Sequence, residues 1–152
     1  MPTSPVSAST LVPIADRLWQ ARHAFIVNGL PVHTRMTVAR LANGDLWVHS
    51  PIPPDATLVA ELQALGPVTT VVAPNRAHHL FAKDFVARFP SARLYLAPGL
   101  ARKRPDLDGQ PLPPEPGHWM PELEYHLFGG MPLVNETVWF HRPSHTLILT
   151  DL

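Results

Sequence analysis

Residues 71–81 read VVAPNRAHHLF. A β-branched run ends in Ala73, a proline and an asparagine follow, and two adjacent histidines stand where apolar residues begin to recur at helical spacing. The stretch therefore has the form strand, polar turn, helix. In open α/β sheets, chemistry gathers beyond the carboxyl ends of strands, and His78 and His79 lie in such a place. Two readings are open: a metal site, or a polar helix start carrying two ordinary imidazoles.

The flanking sequence extends the pattern. Residues 37–41 and 46–49 alternate around Ala42-Asn43-Gly44-Asp45, and Asn-Gly between such runs signals a hairpin. Asp55 is a candidate N-cap for a helix in which Leu58, Val59, Leu62 and Leu65 share a face, closed by Gly66-Pro67. A strand follows at 68–72. The next helix is expected at about 77–89, burying Phe81, Phe85 and Phe89, with Pro90 as its stop. Another strand follows at 94–96. Strand, helix, strand, helix, strand predicts right-handed βαβ crossovers and a largely parallel sheet. Residues 136–141 and 146–150 suit a second hairpin through Arg142-Pro143-Ser144-His145. The chain then ends directly after an apolar strand, which suggests a fragment of a longer protein.

Composition narrows the class. The 152 residues are 45% apolar and 16% charged, which favours one globular domain over disorder. Twelve basic side chains balance 12 acidic ones, so neither nucleic acid nor a membrane surface is an expected partner. With no cysteine, any metal must be held by His, Asp, Glu or Asn. The N-terminus lacks a signal-peptide pattern, and no apolar run approaches the roughly 20 residues of a membrane span. A soluble, cytoplasmic protein is expected. Many of the 19 prolines fall in residues 105–121, read as a long exposed loop. Arg102-Lys103-Arg104 reads as part of a solvated loop.

A helix N-terminus disfavours imidazolium, so both histidines are biased toward the neutral form that ligates metals. His78 shares a face with Phe81 and Phe85, which favours a core role, and His79 is the better ligand. Asp151, at the end of the run 147–149, is either a solvated edge group or a ligand. His141 can share a site with it only if the strands pair with an offset or a bend. His145 reads as exposed.

This order of elements resembles the metallo-β-lactamase superfamily. More narrowly, LWVHSPI (46–52), VVAPNRAHHLF (71–81), LYLAPGLARKRPDL (94–107) and FHRPSHTLILTDL (140–152) resemble the family DUF4336, a divergent branch of that fold. The resemblance implies an α/β fold, the αββα sandwich or its N-terminal part. The superfamily's His-x-His-x-Asp-His motif falls on residues 74–79, where His79 alone is matched; Pro74 and Arg76 replace histidines and His78 replaces the aspartate. The later glycine–histidine motif would fall near Gly130-Met131-Pro132, without its histidine. Asp151 stands where the superfamily's bridging carboxylate does. The implied function is a metal-dependent hydrolase with a degenerate site: His79, His78 and Asp151 as ligands, His141 as a weaker one, and zinc, iron or manganese as a single ion rather than two. Arg76, a permanent cation in a ligand's place, would instead bind an anionic group. On that reading the partner is a small-molecule substrate. The alternative is a non-enzymatic binding module that keeps the fold without catalysis, needs no metal, and uses the pocket to bind a small molecule or a protein partner.

Overall fold

In the computed structural model, residues 9–113, 117–130 and 135–151 are described. Four strands, β1 (Val12–Ala15), β2 (Leu18–Val27), β3 (Leu30–Arg40) and β4 (Leu46–His49), form an antiparallel meander. The β3–β4 turn is the one expected around Asn43-Gly44, closed by hydrogen bonds between Leu41 N and Asp45 O (2.8 Å) and between Gly44 N and Leu41 O (2.9 Å). The β2–β3 hairpin was not foreseen, although it carries the same signal. Asn28 and Gly29 sit at φ 50° and 79°, the positive values that a tight two-residue turn requires.

From β4 onward the pairing becomes parallel. The helix α1 (Ala56–Leu65) leads to β5 (Val68–Ala73), α2 (Ala82–Arg88) to β6 (Arg93–Leu96), and α3 (Leu100–Lys103) to the short β7 (Gln110–Pro111). The sheet is therefore mixed, in the order β1-β2-β3-β4-β5-β6-β7, and the expected parallel arrangement holds for its second half. Asp55 caps α1 as expected, its carboxylate accepting from Leu58 N at 2.8 Å. A second sheet is made of β8 (Leu123–Leu127), β9 (Thr137–His141) and β10 (Thr146–Ile148), in the order β10-β9-β8.

Alternation along the strands sorts side chains into two cores. Val38, Leu46, Val48, Val71 and Leu94 pack under the helices with Leu58, Leu62 and Phe85. Their neighbours Ala39, Trp47, Val72 and Tyr95 face the second sheet and meet Leu123, Trp139 and Ile148. The layers run helix, sheet, sheet. β4 is buried at all four positions because both of its faces are covered.

Three expectations need correction. The second helix begins at Ala82, not near 77, because Asn75 Oδ1 accepts from both Ala77 N (2.8 Å) and His78 N (2.7 Å) and holds the chain in a turn. Phe81 lies in that turn and packs edge-on against Phe25 and His23. The proline-rich segment contributes β7, with Gln110 opposite Tyr95. Arg102 and Lys103 belong to α3 rather than to a solvated loop. Met131 and Pro132, at the expected second motif, lie outside the described residues, as does Leu152.

Candidate functional site

The turn after β5 is organised by Asn75, which is fully buried. While its carbonyl oxygen holds Ala77 N and His78 N, its amide donates to Asp151 Oδ2 (2.7 Å) and Thr150 Oγ1 (2.8 Å). The buried Glu136 completes the join by accepting from Thr150 Oγ1 and from Asp151 N, both at 2.7 Å. Thr137 N and Oγ1 both donate to Pro74 O, fastening β9 to the end of β5. Residues about 75 apart in sequence thereby form one site.

His78 stands at its centre. Its Nε2 lies 3.2 Å from Asp151 Oδ1, and its Nδ1 lies 3.0 Å from Ser50 Oγ and 3.4 Å from Thr34 Oγ1. A carboxylate only accepts, so Nε2 carries the proton and Nδ1 accepts from Ser50. Ser50 follows β4, is 1% exposed and holds a φ of 55°, a left-handed conformation that serine seldom adopts.

His79 turns the other way. It is buried, and Arg104 Nη1 donates to its Nδ1 at 2.9 Å, so Nδ1 holds no free lone pair. Arg104 also forks onto Asp106, with Nε to Oδ1 at 2.8 Å and Nη2 to Oδ2 at 2.9 Å, which holds the Asp106 carboxyl well below the usual carboxylate range. Burial, and then the cations Lys103 and Arg104, lower the pKa of His79. Arg76 faces the same side: its Cδ would lie 3.9 Å from a Cβ built on Gly99, and its carbonyl accepts from Lys103 Nζ at 2.5 Å. It lines neither cavity described below. His141 is remote from Asp151, because the β9–β10 register is regular and pairs His141 with Thr146. Its Nδ1 lies 2.6 Å from Ser144 Oγ. His145 is exposed. Of the expected set, the structure brings together His78 and Asp151; His79, His141 and Arg76 stand elsewhere.

Two cavities meet at that pair. One, of about 530 Å³, is lined by Arg22, Arg35, Thr37, His49, His78 and Asp151 among others. The other, of about 390 Å³, is more apolar, with Phe25, Val32, Leu80 and Phe81 in its wall, and shares His78 and Asp151. His49 is 1% exposed, and burial, aided by neighbouring His78, pushes its pKa down to about 3. Sequence reasoning missed Ser50, Arg104, Arg22, Arg35 and His49. The strand alternation of residues 18–27 could have revealed Arg22, whereas the pairing of Arg104 with His79 has no local signature.

These donors do not fit a zinc ion. A zinc site needs about three protein ligands, and among the described residues no group of three His, Asp or Glu side chains is placed to hold a metal. His78 and Asp151 are bonded to each other, the Nδ1 of His79 is covered by a guanidinium, and Arg22 and Arg35 bring positive charge to the cleft.

The architecture is that of the metallo-β-lactamases. The chain superposes on a metallo-β-lactamase from Pontibacter korlensis with a TM-score of 0.67 at 13% identity, covering 90% of this chain and 68% of that one. The corresponding figures are 0.69, 10%, 91% and 69% for a metallo-β-lactamase from Hirschia baltica, and 0.73, 14%, 95% and 70% for the DIM-1 metallo-β-lactamase. At such identities the likeness is one of fold. The family is narrower: residues 15–101 match the model of the domain of unknown function DUF4336, and the chain belongs to that family. No curated protein matches the chain. No helix among the described residues is long and apolar enough to cross a membrane.

Proposed function

We propose that this protein is a small-molecule-binding module that keeps the metallo-β-lactamase scaffold and has replaced the metal centre with a hydrogen-bonded one. The observation that carries this reading is the use made of the two histidines: His78 is held between Ser50 and Asp151, and His79 is capped by Arg104. Neither ring offers a free lone pair at the nitrogens so engaged. The cleft beside them has the volume of a small-molecule site. Metal analysis after equilibration with zinc tests the reading. Substoichiometric zinc, unchanged in His78→Ala, is the expected result. One zinc per chain, lost in both His78→Ala and Asp151→Asn, would restore the metal-dependent hydrolase.

One observation favours a second reading. Ser50, His78 and Asp151 have the connectivity of a hydroxyl–imidazole–carboxylate relay, at 3.0 and 3.2 Å. In such a relay Ser50 Oγ attacks an acyl carbon while its proton passes to His78 Nδ1, and Asp151 steadies the imidazolium. His78 returns that proton to the leaving group as its bond to the acyl carbon breaks, and water then hydrolyses the acyl-Ser50 ester by the same route. A phosphonofluoridate probe would then label Ser50, giving a mass shift absent from Ser50→Ala. An unlabelled parent protein would rule this reading out.

A further inference from the structure

Arg22 of β2 and Arg35 of β3 are register partners in an antiparallel pair and point to the same face. Like charges placed directly opposite each other across strands repel. Among the described residues neither arginine has a carboxylate within ion-pair distance. Both line the 530 Å³ cleft.

The wall between them and the site is polar and incompletely bonded. His49 lines the same cleft at 1% exposure, and among the described residues neither of its ring nitrogens has a hydrogen-bond partner. A buried polar group left without a partner is destabilising unless something fills the place. Thr37, opposite His49 in the β3–β4 register, adds a hydroxyl to the same wall. Asp151 is the carboxylate in the lining, and it is already engaged by Asn75 and His78.

We propose that this cleft binds a small molecule through a carboxylate or phosphate group, gripped by Arg22 and Arg35 over the wall formed by Thr37 and His49. The proposal rests on the metal-free reading and names its ligand class. It also relocates the anion site expected at Arg76, whose side chain lies beside Gly99. Guanidinium is the side chain best shaped for such groups, because its donors fork onto two oxygens at once. The chain's formal charge is zero, so anion binding at low salt reports this local pair rather than an overall field.

The test titrates inorganic phosphate, and separately succinate, into the full chain at low ionic strength, with calorimetry as the readout. Parent, Arg22→Gln, Arg35→Gln and Arg142→Gln are compared; Arg142 is exposed and pairs with Glu124 away from the cleft. The expected result is one saturable site for at least one probe, weakened about ten- to hundredfold by each cleft substitution and unchanged by Arg142→Gln. Which probe binds identifies the headgroup. Unchanged melting temperatures show that the exposed substitutions leave the fold intact. Absence of saturable binding for both probes, or equal weakening by Arg142→Gln, overturns the proposal. Stoichiometric zinc overturns the metal-free reading itself, so the two failures are separable.

Discussion

Acid should unfold this protein through His49. Its folded pKa is driven from an ordinary 6.5 down to about 3, first by burial and then by His78. Between those values the unfolded chain binds a proton that the folded chain refuses. The stability is therefore fully present above the unfolded value and is lost as pH falls through about 6.5 toward 3. From about pH 7.5 to about pH 5, His49 alone removes about 2 kcal/mol, with a limiting slope of about 1.4 kcal/mol per pH unit. Burial also lowers the pKa of His23, His79, His118 and His141, which adds to the loss in the same direction. Urea unfolding followed by tryptophan fluorescence across this range measures the slope. His49→Leu should flatten it by about one proton's worth, and His49→Gln serves where leucine disturbs the packing against Trp47. Equal slopes in the parent and both variants would refute the reasoning.

Asn75→Ala removes the hydrogen bonds that join the turn to Asp151 and Thr150. We expect a loss of about 1–3 kcal/mol in denaturant unfolding and faster amide exchange at Ala77 and His78. Arg104→Ala strands the buried Nδ1 of His79 and should cost about 1–3 kcal/mol; an unchanged unfolding midpoint would contradict that bond. Gly66→Ala places a Cβ 2.3 Å from Gly44 O, a backbone atom that cannot rotate aside. It should lower the melting temperature by several degrees, about what 1–2 kcal/mol implies for a domain of this size.

What could be read from the sequence was what local chemistry decides. Asn43-Gly44, the Asp55 cap and the βαβ spacing each specify their own geometry, and each reappears in the fold. The β2–β3 hairpin carried an equally local signal in Asn28-Gly29, but Pro31 and the scattered apolar residues of residues 18–36 obscured it. The start of α2 moved because Asn75 spends its carbonyl oxygen on a turn, and side-chain propensity does not reveal which donors an asparagine will choose. The site was half legible. Adjacent histidines look equivalent in sequence, yet one faces Ser50 and the other Arg104, because a turn sends successive side chains in different directions. Partners contributed by other elements decide which does which.

The indoles offer a built-in optical gauge. Trp47 belongs to the larger sheet, Trp139 to the smaller, and Trp119 to the segment just before β8, with ring centres 4.9 Å apart for the first pair and 5.4 Å for Trp119 and Trp139. All three are at most 1% exposed. Rings fixed this closely in an asymmetric, rigid environment give near-ultraviolet circular dichroism, so that signal depends on the two sheets being docked. Trp19 lies on β2 and packs partly buried against the helix-side core. A state that keeps its strands but lets the sheets part would lose the near-ultraviolet signal while the backbone's far-ultraviolet signal persisted. This chain can thus report separately on forming its layers and on closing them, with no label added.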